Sequence, residues 1–172
     1  MHNKVVYRAA RVLAHSGYGT LRFNFRGAGT SEGLHDHGRG EASDFRSAMD
    51  EAVRRGGLPL IAGGFSFGAA VALKAIAGED RVRAFIGVGL PVASPSGQDL
   101  PPPAVPALFI VGENDGFGPP QKLAEFLLGA GEIVEVPEAD HFLTGKLDVL
   151  AEAITRFLAR LDRRSDTKEA TA

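Results

Sequence analysis

A chain of 172 residues, 44% hydrophobic and 23% charged, is long enough for one domain with a real core and has an ordinary globular composition. A formal net charge of -2 provides no basic field for nucleic acid or anionic lipid, and no apolar run is long enough to cross a bilayer. The absence of cysteine excludes a disulfide scaffold, thiolate metal sites and cysteine catalysis.

In chain order, the first predicted element is a helix. Val5, Ala9, Val12 and Val6, Ala10, Leu13 recur at helical spacing, and Gly17 suits the position after a helix end. The opening Met1-His2-Asn3-Lys4 lacks the basic-then-apolar layout of a secretory signal, so the expected location is cytoplasmic. Leu21-Arg22-Phe23-Asn24-Phe25 alternates apolar and polar and predicts a strand. From Arg26 to Gly40 the chain reads as a long loop. An amphipathic helix is predicted from Glu41 to Arg55, with Phe45, Ala48, Met49 and Ala52 inward.

Leu60-Ile61-Ala62 predicts a buried parallel strand, and Ala69 to Ala77 a helix of small residues. Ala84 to Val88 is the next strand. Six prolines between residues 91 and 106 exclude a strand there, because proline cannot donate to a ladder. Ala107 to Val111 is a strand, Pro119 to about Leu128 a helix, Glu132 to Val136 a short strand, and Lys146 to Leu161 the last helix. Residues 1–163 form the expected domain, and the polar tail 164–172 is expected to be disordered. Strands alternating with helices predict an α/β three-layer sandwich with a mostly parallel sheet. Chemistry in such sheets sits at the carboxyl ends of the strands.

After the Leu60 strand comes Gly64-Phe65-Ser66-Phe67-Gly68, a G-x-S-x-G turn between strand and helix. Such a sharp turn pushes the serine hydroxyl out of the sheet, and small flanking residues avoid clashes. The N–H of Phe67, at the positive end of the helix, is the expected oxyanion donor. A serine nucleophile needs a base, and the base an orienting acid. His141 follows the Glu132 strand and Asp115 follows the Ala107 strand, giving the order Ser, Asp, His. Asp115 read alone is equally a turn residue or helix cap, and His141 a solvated loop residue. Glu113 and Asp140 are rival acids. Glu113 stands early in its loop, and Asp140 adjoins His141 in a chain where neighbouring side chains point apart, so Asp115 is preferred.

Phe65 and Phe142 are candidates for an apolar substrate pocket, with plain core as the competing reading. His35 and His37 could ligate zinc, but no third ligand accompanies them, so no metal is assigned. Gly27-Ala28-Gly29 lacks the full dinucleotide fingerprint and opens no helix, and no cofactor is expected. Arg26 is read as pairing locally.

These residues resemble the α/β-hydrolase superfamily. The segments Met1-His2-Asn3-Lys4-Val5-Val6 and Phe23-Asn24-Phe25-Arg26-Gly27-Ala28-Gly29-Thr30-Ser31-Glu32-Gly33 resemble small, lidless bacterial members related to dienelactone hydrolases and serine aminopeptidase-like proteins. The resemblance implies a serine hydrolase acting on esters or thioesters of small acyl substrates through Ser66, His141 and Asp115. It also implies a departure. In that family further strands precede the first helix. The last of them lies centrally, between the strands corresponding to Leu21–Phe25 and Leu60–Ala62, and its end supplies the second oxyanion donor. On this resemblance the sequence is an N-terminally shortened member. Three readings stay open: a fragment, a chain that pairs with another chain (a homodimer among the options), or a non-catalytic hydrolase-like protein.

Overall fold

The computed structural model describes residues 3–169, with side chains described as far as residue 163. The element order is α1 (Lys4–His15), α2 (Arg39–Gly56), β1 (Leu60–Phe65), α3 (Phe67–Ala75), β2 (Val82–Val88), a 3₁₀ turn at Pro95–Gly97, β3 (Ala107–Gly112), α4 (Pro120–Leu127), β4 (Glu132–Val136) and α5 (Leu147–Glu169). The helix expected to end at Leu161 thus runs on to Glu169. Of the tail expected to be disordered, residues 170–172 and the side chains from 164 onward lie outside the described residues.

The four strands form one parallel sheet in the order β1-β2-β3-β4. Both faces are covered, which explains why the central strands read as unbroken apolar runs. Phe85, Ala107, Phe109 and Val111 pack on the face held by α2, α3 and α4, with Phe45, Leu73, Leu123 and Leu127. Ala84, Ile86, Val88, Leu108 and Ile110 pack on the opposite face, with Leu150, Ile154, Phe157 and Leu158 of α5 and Val5 of α1. Alternate residues of β2 and β3 therefore serve opposite cores, as a period of two requires. Asn3 caps α1, its side-chain oxygen accepting from Val6 N–H at 3.1 Å.

The predicted strand at Leu21–Phe25 does not form. Residues 19–25 lie beside the sheet, but no backbone N–H among them donates to any acceptor in the described residues. The alternation is real: Phe23 and Phe25 turn inward, with Phe23 against Phe45 at 5.8 Å and Phe25 against Phe67 at 6.0 Å. A strand, however, is defined by its ladder, and an open groove separates these residues from β1. Side-chain packing and two anchors hold the segment in place. Tyr18 donates to Asp162 at 2.7 Å, and Arg26 grips Asp44 through its guanidinium at 2.7 to 3.2 Å and its backbone N–H at 3.0 Å. Arg26 thus has the local role expected of it.

Surface ion pairs set an acid-side limit on stability. Hydrogen bonds from Arg81 at 2.6 and 2.7 Å hold the Glu79 carboxyl down to about 2. A depressed carboxylate stabilises fully above its unfolded value, here 4.5, and that contribution is lost as pH falls through the folded value. The urea midpoint is therefore expected to fall between about pH 4.5 and about 2 more steeply in the wild type than in Glu79→Gln. Identical acid profiles for the two proteins would remove Glu79 from the account.

Candidate active site

The strand β1 ends at Phe65, and α3 begins at Phe67, so Ser66 alone makes the turn. Its backbone lies at φ 52°, ψ -125°, a conformation that costs a non-glycine residue energy and persists only where the surroundings enforce it. They do so here from β2 and from α3: Ser66 N–H donates to Val88 C=O at 2.8 Å, and Ser66 C=O accepts from Ala69 N–H at 2.8 Å. The two glycines of the motif are not equivalent. A Cβ on Gly64 would lie 2.4 Å from the backbone of Gly68, so glycine lets the helix close onto the strand. A Cβ on Gly68 would meet only Phe25, at 3.7 Å.

The three residues singled out from strand ends converge. His141 Nε2 is 2.8 Å from Ser66 Oγ, and His141 Nδ1 is 2.8 Å from Asp115 Oδ2. Asp115 is 2% exposed and His141 8%, so the pair is shielded from competing water. The other carboxylate oxygen, Oδ1, accepts from Phe117 N–H at 2.9 Å and Gly118 N–H at 3.2 Å. Those bonds orient the carboxylate as well as satisfy it. With Nδ1–H donating to Asp115, Nε2 carries a lone pair toward the serine.

The rival acids are used elsewhere. Glu113 accepts from Glu138 N–H at 2.7 Å at the surface. Asp140 accepts from the N–H groups of Phe142 and Thr144 and the Thr144 hydroxyl, at 2.9 to 3.0 Å. These bonds, led by those from Thr144, hold its carboxyl below the usual range. Asp140 shapes the turn after His141 rather than touching its ring.

Phe67, in the first turn of α3, donates its N–H to no acceptor among the described residues. Its ring faces Phe25 and, at 5.2 Å, His35. Phe65 is half-buried, with its ring 5.0 Å from His141 and 5.8 Å from Phe142. Phe142 is 57% exposed, so the core reading fails for it, and it stands 5.3 Å from the His141 ring.

Two contributors escaped the sequence reading. Phe117, 53% exposed, stacks 4.7 Å from His141 and completes an aromatic surround with Phe65 and Phe142. Nothing local marks it. Gly89, at φ 56°, is the second: a Cβ there would lie 3.0 Å from His141 Cε1. That glycine leaves room for the imidazole.

His35 and His37 have their rings 5.0 Å apart, and His35 Nδ1 contacts Glu41 at 2.8 Å. Glu41 is fully buried at the start of α2. Burial pushes its pKa up, but N–H groups of Asp36, Glu41 itself and Gly38, together with His35, outweigh this and hold it below the usual range. The cluster is a helix cap that ties down the loop, and among the described residues no three metal-ligating side chains gather.

Residues 1–152 match the family model for the alpha/beta hydrolase domain. A lidless α/β serine hydrolase of Xanthomonas campestris is 37% identical, superposes with a TM-score of 0.84, and is covered over 74% of its length by 93% of this chain. An α/β serine hydrolase homologue from Coxiella burnetii is 33% identical with a TM-score of 0.83, over 91% of this chain and 76% of that one. A protein of Rickettsia prowazekii is 31% identical over 171 residues, 92% of this chain and 72% of its own. With the three-layer parallel fold and the G-x-S-x-G turn between β1 and α3 already described, these matches make the chain a member of the α/β-hydrolase family.

Proposed function

We propose that the chain is a serine hydrolase that cleaves carboxylic esters or thioesters through an acyl-enzyme formed on Ser66. The observation carrying this reading is the unbroken relay from Ser66 Oγ through His141 to Asp115, 2.8 Å at each step. His141 Nε2 takes the hydroxyl proton as Ser66 Oγ attacks the carbonyl carbon. Negative charge develops on the carbonyl oxygen, and Phe67 N–H, free and at the positive end of α3, stabilises it. Asp115 holds the ring and stabilises the imidazolium. The intermediate collapses, and His141 returns the proton to the departing alkoxide or thiolate, releasing an alcohol or thiol. Water, deprotonated by His141, then attacks the acyl carbon, and as the acyl–Oγ bond breaks His141 returns that proton to Ser66 Oγ, freeing the acid and Ser66.

Phe65, Phe142 and Phe117 line the approach to His141 and supply an apolar surface for the acyl or leaving group. Esters and thioesters are favoured as small acyl substrates that such an open site admits.

The test is covalent labelling with a fluorophosphonate probe. The wild-type protein is expected to label on Ser66, and Ser66→Ala to lose the label. A folded wild-type protein that does not label sinks the proposal. A second reading, binding without turnover, is favoured by the groove beside β1, which leaves the strand leading into Ser66 with a strand neighbour on the β2 side alone among the described residues. Ester turnover that disappears in Ser66→Ala removes that reading.

A further inference from the structure

We infer that Phe117 and Phe142 select the departing group rather than the acyl group, and that the alcohol or thiol released is uncharged and carries an aromatic ring close to the atom that takes the proton. The inference rests on the acyl transfer proposed at Ser66 and goes beyond it by assigning one side of the substrate. Of the eleven phenylalanines, only Phe117 and Phe142 are more than half exposed, and both stand against His141. The other nine serve the core or are partly covered. Two large apolar rings left in water beside the base contribute little to the fold, and their placement is explained by what they meet there.

The path of the proton decides which side of the substrate they meet. As the acyl-enzyme forms, Ser66 Oγ bonds to the carbonyl carbon, the bond from that carbon to the departing oxygen or sulfur breaks, and His141 Nε2 gives its proton to the departing atom. That atom must come within hydrogen-bond reach of Nε2, so its substituent lies against whatever flanks the imidazole. The rings of Phe117, Phe65 and Phe142 stand 4.7, 5.0 and 5.3 Å from that of His141. Phe67, whose N–H is the proposed oxyanion donor, turns its ring to Phe25 and His35 instead. The departing end and the carbonyl end thus have different neighbours.

One carboxylate sets both the base and the ring beside it. Asp115 holds His141 through Oδ2 and accepts from Phe117 N–H on Oδ1 at 2.9 Å, while Ala93 N–H donates to Phe117 C=O at 2.9 Å. Phe142 N–H donates to Asp140 at 3.0 Å, and the Phe142 ring packs 5.8 Å from that of Phe65. With the backbone fixed, a phenylalanine has little side-chain freedom left to lose on binding. A flat aromatic substituent gains face and edge contacts with these rings beyond the area it buries. Charge argues against an anionic departing group. The loops after β3 and β4 carry Glu113, Glu138 and Asp140, and their one lysine, Lys146, is paired with Glu138 at 3.4 Å.

The test compares kcat/KM for benzyl, cyclohexylmethyl and ethyl acetate, which share one acyl group, and for ethyl phenylacetate against ethyl acetate, which share one alcohol. The wild type is expected to favour benzyl over ethyl acetate by about tenfold or more, and over cyclohexylmethyl acetate by about threefold. Phe117→Ala is expected to lower the benzyl-to-ethyl ratio by about fivefold, with the acyl-side ratio held within about twofold. Phe117→Leu keeps apolar area without the ring and is expected to lose the benzyl-over-cyclohexylmethyl preference, which Phe117→Tyr retains. Phe142→Ala repeats the measurement from the other loop, so the result does not hang on one variant folding. Fluorophosphonate labelling of Ser66 accompanies each protein. A labelled, active wild type without a benzyl preference, or a Phe117→Ala effect confined to the acyl series, overturns the inference and leaves the hydrolase reading standing. A folded wild type with neither label nor turnover overturns both.

Discussion

Replacing Asp115 with asparagine is expected to lower ester turnover by roughly 10⁴-fold while leaving the fold intact. Asparagine is nearly isosteric, and its amide oxygen can still accept from Phe117 and Gly118, so the buried loop keeps its bonds. What changes is the other contact. An NH₂ group facing His141 Nδ1 donates where a carboxylate accepted, so the ring protonates on Nε2 instead. An Nε2–H cannot take the serine proton. The lost charge also removes the stabiliser of the imidazolium. The rival carboxylates provide the control. Glu113→Gln, 25 residues from its Glu138 partner and at the surface, is expected to retain turnover close to the wild type. Measured kcat/KM on a small aryl ester decides between them: a large loss in Glu113→Gln with an active Asp115→Asn would reassign the acid.

The largest stability effect is expected at Phe109, in the middle of β3. Its side chain is wholly buried, with its ring 5.6 Å from that of Phe85, between neighbouring strands β2 and β4. Phe109→Ala removes most of the side chain from a site enclosed by apolar residues, with strands on both sides. A cost of about 3–5 kcal/mol follows. In urea this moves the midpoint down by roughly 1 M or more. Phe142→Ala is the contrast: its ring is mostly in solvent, and the expected change is about 0.5 kcal/mol or less. Equal effects at the two positions would contradict the division between core phenylalanines and those lining the site.

Those two phenylalanines also mark what can be read along the chain. Phe109 sits in an uninterrupted apolar run between a proline-rich loop and Gly112, and such a run is a buried parallel strand whatever surrounds it. Ser66 is equally legible, because the strained turn needs a particular local sequence and Gly64 answers a clash with Gly68, only four residues away. Phe142 had no local signature separating pocket from core. Its ring is apolar in either place, and only the loop bent by Asp140 turns it outward.

The sequence by itself determined the α/β order of elements, the Ser66 turn and the serial order of serine, acid and histidine. Each depends on local backbone chemistry or on a period that neighbouring residues carry. Tertiary structure alone decided three things. It brought Asp115, rather than Glu113 or Asp140, against the His141 ring, because that contact depends on which oxygen reaches an imidazole 26 residues away. It gathered Phe117 and Gly89 around that ring from separate strand ends. It also denied Leu21–Phe25 its ladder. Alternation can qualify a segment as a strand, but hydrogen bonds are made with a neighbour, and the neighbouring position in this sheet is a groove.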